Sequence, residues 1–181
     1  MSTLSSGQFL IASPDLDDEL FSRSVILLCE HSQVGSFGVI VNKPLEGGLP
    51  AELAELETQS SLLARIGGPI QSDQMMLLHT CASIPDQTLC VTEGVYLGGD
   101  GDFLQNTLTE NKHSAIISFG YMAWGEGALE KEFLAGLWFL HPATQNHVFD
   151  TQPSQLWRAL LREMGGKYAT LSMMPDDLSL N

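Results

Sequence analysis

The chain is short of positive charge. Of its 181 residues only eight are Lys or Arg, against 22 Asp and Glu, so the formal charge is −14 with His neutral. A phosphate backbone is gripped by clustered cations, and these eight are scattered along the sequence at Arg23, Lys43, Arg65, Lys112, Lys131, Arg158, Arg162 and Lys167. Direct nucleic-acid binding is therefore not expected. The same field repels anionic lipid, and no apolar run approaches the roughly 20 residues a membrane-spanning helix needs. No membrane role is expected either.

Cysteine is also scarce. Cys29, Cys81 and Cys90 are an odd number with no C-x-x-C pair, which opposes a disulfide framework or a zinc ribbon and suits a reducing compartment. Residues 1–7 carry no basic residue and no long apolar core, so they do not read as a secretory signal. The expected location is cytoplasmic. Linkers, repeats and low-complexity tracts are missing too, and 44% hydrophobic against 17% charged residues is ordinary for a globular chain. The expectation is one domain over 1–181 with a sizeable core.

Catalytic signatures are the third shortage. G-x-S-x-G, H-E-x-x-H, G-x-G-x-x-G and G-x-x-x-x-G-K-[ST] do not occur. Gly67-Gly68-Pro69 and Gly98-Gly99-Asp100-Gly101-Asp102 read as turns, and the second places carboxylates where a phosphate would sit. Its acids also lack the alternation and terminal Glu of a calcium loop. His31, His79, His113, His141 and His147 never fall at i, i+4, so no metal site and no cofactor are expected. The balance favours a binding protein over an enzyme.

What is present is a mixed pattern. Residues 9–12 form a short apolar run closed by Ser13-Pro14, and residues 24–29 and 37–41 are apolar runs joined by a polar segment, the signature of a hairpin. A helix is expected after Gly47-Gly48, with Pro50 in its first turn and Leu49, Leu53 and Leu56 along one side. Arg65-Ile66-Gly67-Gly68-Pro69 reads as a turn leading into a strand over 74–79, with further strands at 89–91 and 95–97. Asp100 or Asp102 can cap a helix running to about residue 110, and 114–121 is the most apolar strand. A short helix follows Gly125, a strand covers 136–140, and the last helix carries Leu156, Trp157, Leu160, Leu161 and Met164 on one face before Gly165-Gly166. The tail from 173 reads as loosely held. Strands and helices intersperse without a βαβ period, so the class is α+β.

Two places invite chemistry. Cys29 opens Cys29-Glu30-His31 at a strand end, where an imidazolium would activate the thiol and Glu30 would oppose that. The stretch from Gly120 to Glu130 is dense in aromatic and polar residues, and reads as a strand that turns on glycines into a helix; such junctions often carry sites.

The ordered set GQFLIASPDL, FSRSVILLCEHSQVGSFGVIVNKP, RIGGPI, LLH, ISFGYMAWGEGALEKEF, Trp138, VFD and the Trp157 helix resembles the YqgE/AlgH family along nearly the whole chain. The resemblance implies a mixed, branched β-sheet with a small barrel-like part, surrounded by helices. It implies no established reaction; the family's name reflects a regulatory role in alginate synthesis, often carried over as transcriptional regulator. With this charge and no helix-turn-helix pattern, regulation through a protein partner or a small ligand is the better expectation. Matching polar positions make His31, Asn42, His79, Tyr121, Trp124 and Glu130 the candidate functional surface. The family usually has Gly, Pro and Gln where this chain has Ala123, Glu126 and Ala128, so a role of that Gln would be lost here. Three readings follow: a non-enzymatic module acting through a partner, an enzyme or ligand binder with a pocket near His31, His79 and Tyr121, and a thiol redox sensor at Cys29.

Overall fold

The computed structural model describes residues 3–47, 51, 62–82, 88–104 and 113–175. The fold begins with three consecutive strands: β1 (Gln8–Ala12), β2 (Val25–Ser32) and β3 (Gly35–Ile40). Their apolar runs are continuous because both faces of the sheet are covered. Phe9, Ile11, Val25, Leu27 and Val39 enter one core, and Leu10, Ala12, Ile26, Leu28 and Ile40 the other. Strands β2 and β3 pair antiparallel as the expected hairpin, with Ser32 opposite Gly35 at the turn.

The remaining strands are β4 (Leu62–Ile66), β5 (Ile70–His79), β6 (Leu89–Thr92), β7 (Val95–Leu97), β8 (Ala115–Gly125) and β9 (Trp138–Pro142). They extend the sheet in the order β6-β7-β5-β8-β3-β2-β1-β9, curled into a half-barrel, with β4 branching off to pair parallel with β8. The class is therefore α+β with a mixed, branched sheet. Residues 62–66, the first three of them unassigned and Arg65-Ile66 read as a turn, form a strand instead, and Arg65 is buried in it. Its guanidinium is accommodated by the carbonyls of Val41 and Ala64 at 3.0 and 3.1 Å.

Strand β8 also corrects the sequence reading. It does not end at Tyr121 but continues to Gly125, its first half pairing with β4 and β5 and its last four residues with β3. The change of partner comes after Tyr121, just past Gly120, whose φ of 82° and close approach to Gly68 exclude a side chain: an added Cβ would lie 2.1 Å from the Gly68 carbonyl oxygen. The Gly67-Gly68 segment is thus a close backbone crossing.

Helices α1 (Gly101–Phe103), α2 (Ala128–Leu134), α3 (Gln145–Phe149), α4 (Pro153–Met164) and α5 (Gly166–Leu171) complete the fold. Asp100 caps α1 by accepting from the Phe103 N–H at 2.9 Å. Beyond Leu104 that expected helix, and all but residue 51 of the one expected after Gly47-Gly48, lie outside the described residues. Helix α4 buries Leu156, Trp157, Leu160 and Leu161 against the first core, and the Trp157 indole donates to the Ala12 carbonyl at 2.8 Å. Helix α2 seals the second core with Leu129. The first residues of the tail are held: the Arg23 guanidinium donates to the carbonyls of Met174, at 3.1 Å, and Pro175.

Candidate functional site

At the turn end of the β2–β3 hairpin a cleft of about 500 Å³ is walled by Glu30, His31, Ser36, Phe37, Cys90 and Trp124, among others. The register explains who meets whom. A bulge between Leu28 and Glu30 resets β2, after which His31 stands opposite Ser36. Ser36 in turn stands opposite Trp124 of β8. Directly opposed residues share a face of the sheet, so hydroxyl, imidazole and indole line up side by side.

Helix α2 completes the row. His31 Nδ1 lies 2.6 Å from Ser36 Oγ, and His31 Nε2 lies 3.4 Å from Glu130 Oε1. The imidazole is thereby held at both nitrogens, between a hydroxyl and a carboxylate. Trp124 is fixed from behind: its indole N–H donates to Glu132 Oε2 at 3.0 Å, and Trp138 donates to the same oxygen at 2.8 Å. One carboxylate thus staples β8 and β9 to α2.

Of the residues expected to share a surface, His31, Trp124 and Glu130 do come together. Tyr121 sits one contact away, packed edge-on against Phe37 with ring centroids 5.4 Å apart. Asn42 lies at the far end of the hairpin, where its Oδ1 accepts from the Val25 N–H at 2.8 Å and its Nδ2 donates to the Arg23 carbonyl at 2.9 Å. Those two bonds close the strand ends, a structural task. His79 does not line the cleft and so does not converge with His31. It is fully buried at the end of β5, its ring stacked on Tyr96 and tilted against Phe103. Its Nδ1 accepts from the Cys81 N–H at 3.2 Å, while Nε2 makes no hydrogen bond. Burial pulls its pKa down to about 4, partly offset by the Gly98 carbonyl, so the ring is neutral at physiological pH.

Cys29 borders the cleft yet is buried, and desolvation, reinforced by Glu30, pushes its thiol up to about 12. The thiol form prevails at neutral pH. Ser36 and Glu132 were missed from the sequence. Ser36 was legible in principle, because a hairpin turning between Ser32 and Gly35 must oppose residues 31 and 36; Glu132 carried no signal beyond lying one turn past Ala128. Among the described residues no group of three or more His, Cys, Asp or Glu side chains is arranged to hold a metal ion, and no helix is long and apolar enough to cross a membrane. The positions where Ala123, Glu126 and Ala128 depart from the family pattern flank Trp124 and Glu130 in the sequence, beside this site.

The chain is similar over nearly all of its length to known proteins. A UPF0301 protein of Chlamydia pneumoniae is 49% identical over 181 residues, covering 98% of this chain and 96% of the relative. One from Chlorobium limicola is 34% identical with the same coverage. The solution structure of AlgH from Pseudomonas aeruginosa superposes with a TM-score of 0.72 at 26% identity, covering 98% of both chains. A crystal structure of protein DIP2367 from Corynebacterium diphtheriae gives a TM-score of 0.76 at 22% identity over 96% of this chain and 94% of that one, a likeness of fold. With residues 9–169 matching the family described as DUF179, AlgH-like, the chain belongs to the AlgH-like family.

Proposed function

We propose that this protein is a cytoplasmic, non-enzymatic binding or regulatory protein that takes a small polar solute, neutral or cationic, in the His31 cleft. The observation that carries the reading is the row Ser36–His31–Glu130, whose first two members line a 500 Å³ cleft beside Trp124 while Glu130 holds the imidazole from α2. Pockets that bind small molecules combine apolar and aromatic walls with a few oriented polar groups. Phe37 and Trp124 supply the first, and His31 with Ser36 the second. Glu30 and Glu130 bias the site against anions, and an indole face favours a cation.

A thermal-shift screen of small neutral, cationic and anionic solutes tests this directly. A ligand at 100 times its dissociation constant adds about 2.7 kcal/mol. Stabilisation by neutral or cationic compounds, abolished in His31→Ala, is the expected result; stabilisation confined to compounds indifferent to that substitution would refute the reading.

A second reading has one observation in its favour. Hydroxyl, imidazole and carboxylate in sequence is the arrangement by which a base activates a nucleophile and a third group orients the base. Here, however, Ser36 sits within a strand and as a residue is only 8% exposed. Labelling of Ser36 by a serine-directed fluorophosphonate would establish hydrolytic chemistry and displace the binding reading.

A further inference from the structure

Among the described strands the branched sheet ends at β4, β6 and β9. An open edge presents unpaired N–H and C=O groups, and proteins blunt such edges with bulges, short strands, charge or a covering segment. Two of these ends are protected. The far side of β4 is covered by the chain after β3, where the Ile66 N–H donates to the Lys43 carbonyl at 2.8 Å and the Leu45 N–H to the Ala64 carbonyl at 3.2 Å. Strand β6 is four residues long and bulged between Cys90 and Thr92. The backbone of Gly7 lies against it, so close that an added Cβ would meet the Val91 carbonyl oxygen at 2.9 Å.

Strand β9 has neither device. Its five residues pair with β1 in unbroken register, from Gln8 opposite Pro142 to Ala12 opposite Trp138. The Ala143 N–H donates to the Gly7 carbonyl and the Ser13 N–H to the Leu137 carbonyl, which fixes the alternation: Phe139 and His141 turn their backbone groups to β1, and Trp138 and Leu140 turn theirs outward.

The strip is also uncharged. None of residues 133–149 is Asp, Glu, Lys or Arg, in a chain of charge −14. Glu163, whose carboxylate reaches this strand, is engaged there by His141 and His147 at 3.4 and 2.8 Å. Leu134, four residues before β9 at the end of α2, is 83% exposed. Copies of so acidic a molecule repel one another, and a neutral strip is where two of them can meet.

We propose that β9 is a self-association edge, pairing antiparallel with β9 of a second copy about a twofold axis at Leu140. Both Leu140 N–H groups then donate across the axis to the opposite Leu140 carbonyl, and each Trp138 N–H donates to the opposite Pro142 carbonyl, whose second lone pair is free of the His141 bond. Pro142 has no N–H to return, so the contact is short and the dimer weak. No residue of β9 lines the His31 cleft, and the proposal is independent of the function proposed there.

The test is sedimentation equilibrium of the full chain up to about 1 mM, with amide hydrogen exchange followed by NMR at low and high concentration. A monomer–dimer equilibrium with a dissociation constant below about 1 mM is expected. The Leu140 amide should become protected in proportion to the dimer, while those of Phe139 and His141 are protected throughout. Leu140→Pro, which removes the central donors, should weaken association by about tenfold or more; the exchange measurement on the unaltered chain decides the matter should that variant not fold. A chain that stays monomeric, whether its Leu140 amide exchanges freely or is protected at every concentration by its own residues, overturns the proposal. So does a dimer in which that amide exchanges at the monomer's rate.

Discussion

The two ends of the β2–β3 hairpin are built from the same strands, about 25 Å apart at the rise of an extended chain, and they gather different polar groups. At the turn end, His31 is pinned between Ser36 and Glu130, with Glu30 beside it. At the open end, Asn42 ties the strands together while Arg23, Lys43 and Arg158 surround a smaller cleft. A net charge governs long-range encounter, whereas a site is ruled by the few groups within a Debye length of about 8 Å.

The strongest way to break the turn end is to remove its staple. Glu132→Ala takes the acceptor from two indole N–H groups and should cost about 4 kcal/mol, since hydrogen bonds to a charged group are each worth about 2. In a chain of this size that is about 10 °C in melting temperature. Glu132→Gln, which keeps an acceptor oxygen, should recover part of the loss.

Acidification probes the interior away from both ends, at the end of β5. Unfolded His79 takes up a proton near pH 6.5, whereas in the fold it resists until about pH 4. The unfolded state binds more protons in that window, so stability is full above pH 6.5 and falls as the pH drops towards 4, by at most about 3 kcal/mol. Urea unfolding across that range should show the slope, and His79→Gln should flatten it.

At the open end, Asn42→Ala leaves the buried Val25 N–H and the Arg23 carbonyl without their partner, and should cost about 2 kcal/mol in equilibrium denaturation. The smallest effect is kinetic and sharpens the contrast within the first cleft. Cys90 is exposed, Cys29 and Cys81 are buried, and the Cys29 thiol is pushed up to about 12. One thiol should react rapidly with a maleimide at pH 7 in the folded protein, and Cys90→Ser should abolish that fast phase. Rapid reaction of Cys29 would contradict its burial.

Much of the fold was legible. Residues 24–29 and 37–41 read as a hairpin because their apolar runs are separated by a polar turn, and the α4 face from Leu156 to Leu161 read as a helix because its spacing is 3.6. Strand β4 escaped because its pairing is parallel and distant, and because an arginine in its middle argues against burial until two carbonyls are found for it. The continuation of β8 past Tyr121 escaped for a related reason: the strand changes partner there, just after a left-handed glycine, which looks in sequence like an ending.

The candidate site was partly legible. His31, Trp124 and Glu130 meet across β2, β8 and α2, while His79 and Asn42, polar residues of the same kind, serve the interior and the strand ends. Residue type alone does not distinguish a buried hydrogen-bonding role from a surface one.

By itself the sequence determined the class of fold, the two-sided burial of its central strands and the excess of negative charge, because these follow from composition and from periodicities that each segment carries locally. Only the tertiary structure decided which polar groups face one another and where the few cations collect. Those are relations between segments distant in the chain, set by strand register and by the packing of helices on the sheet.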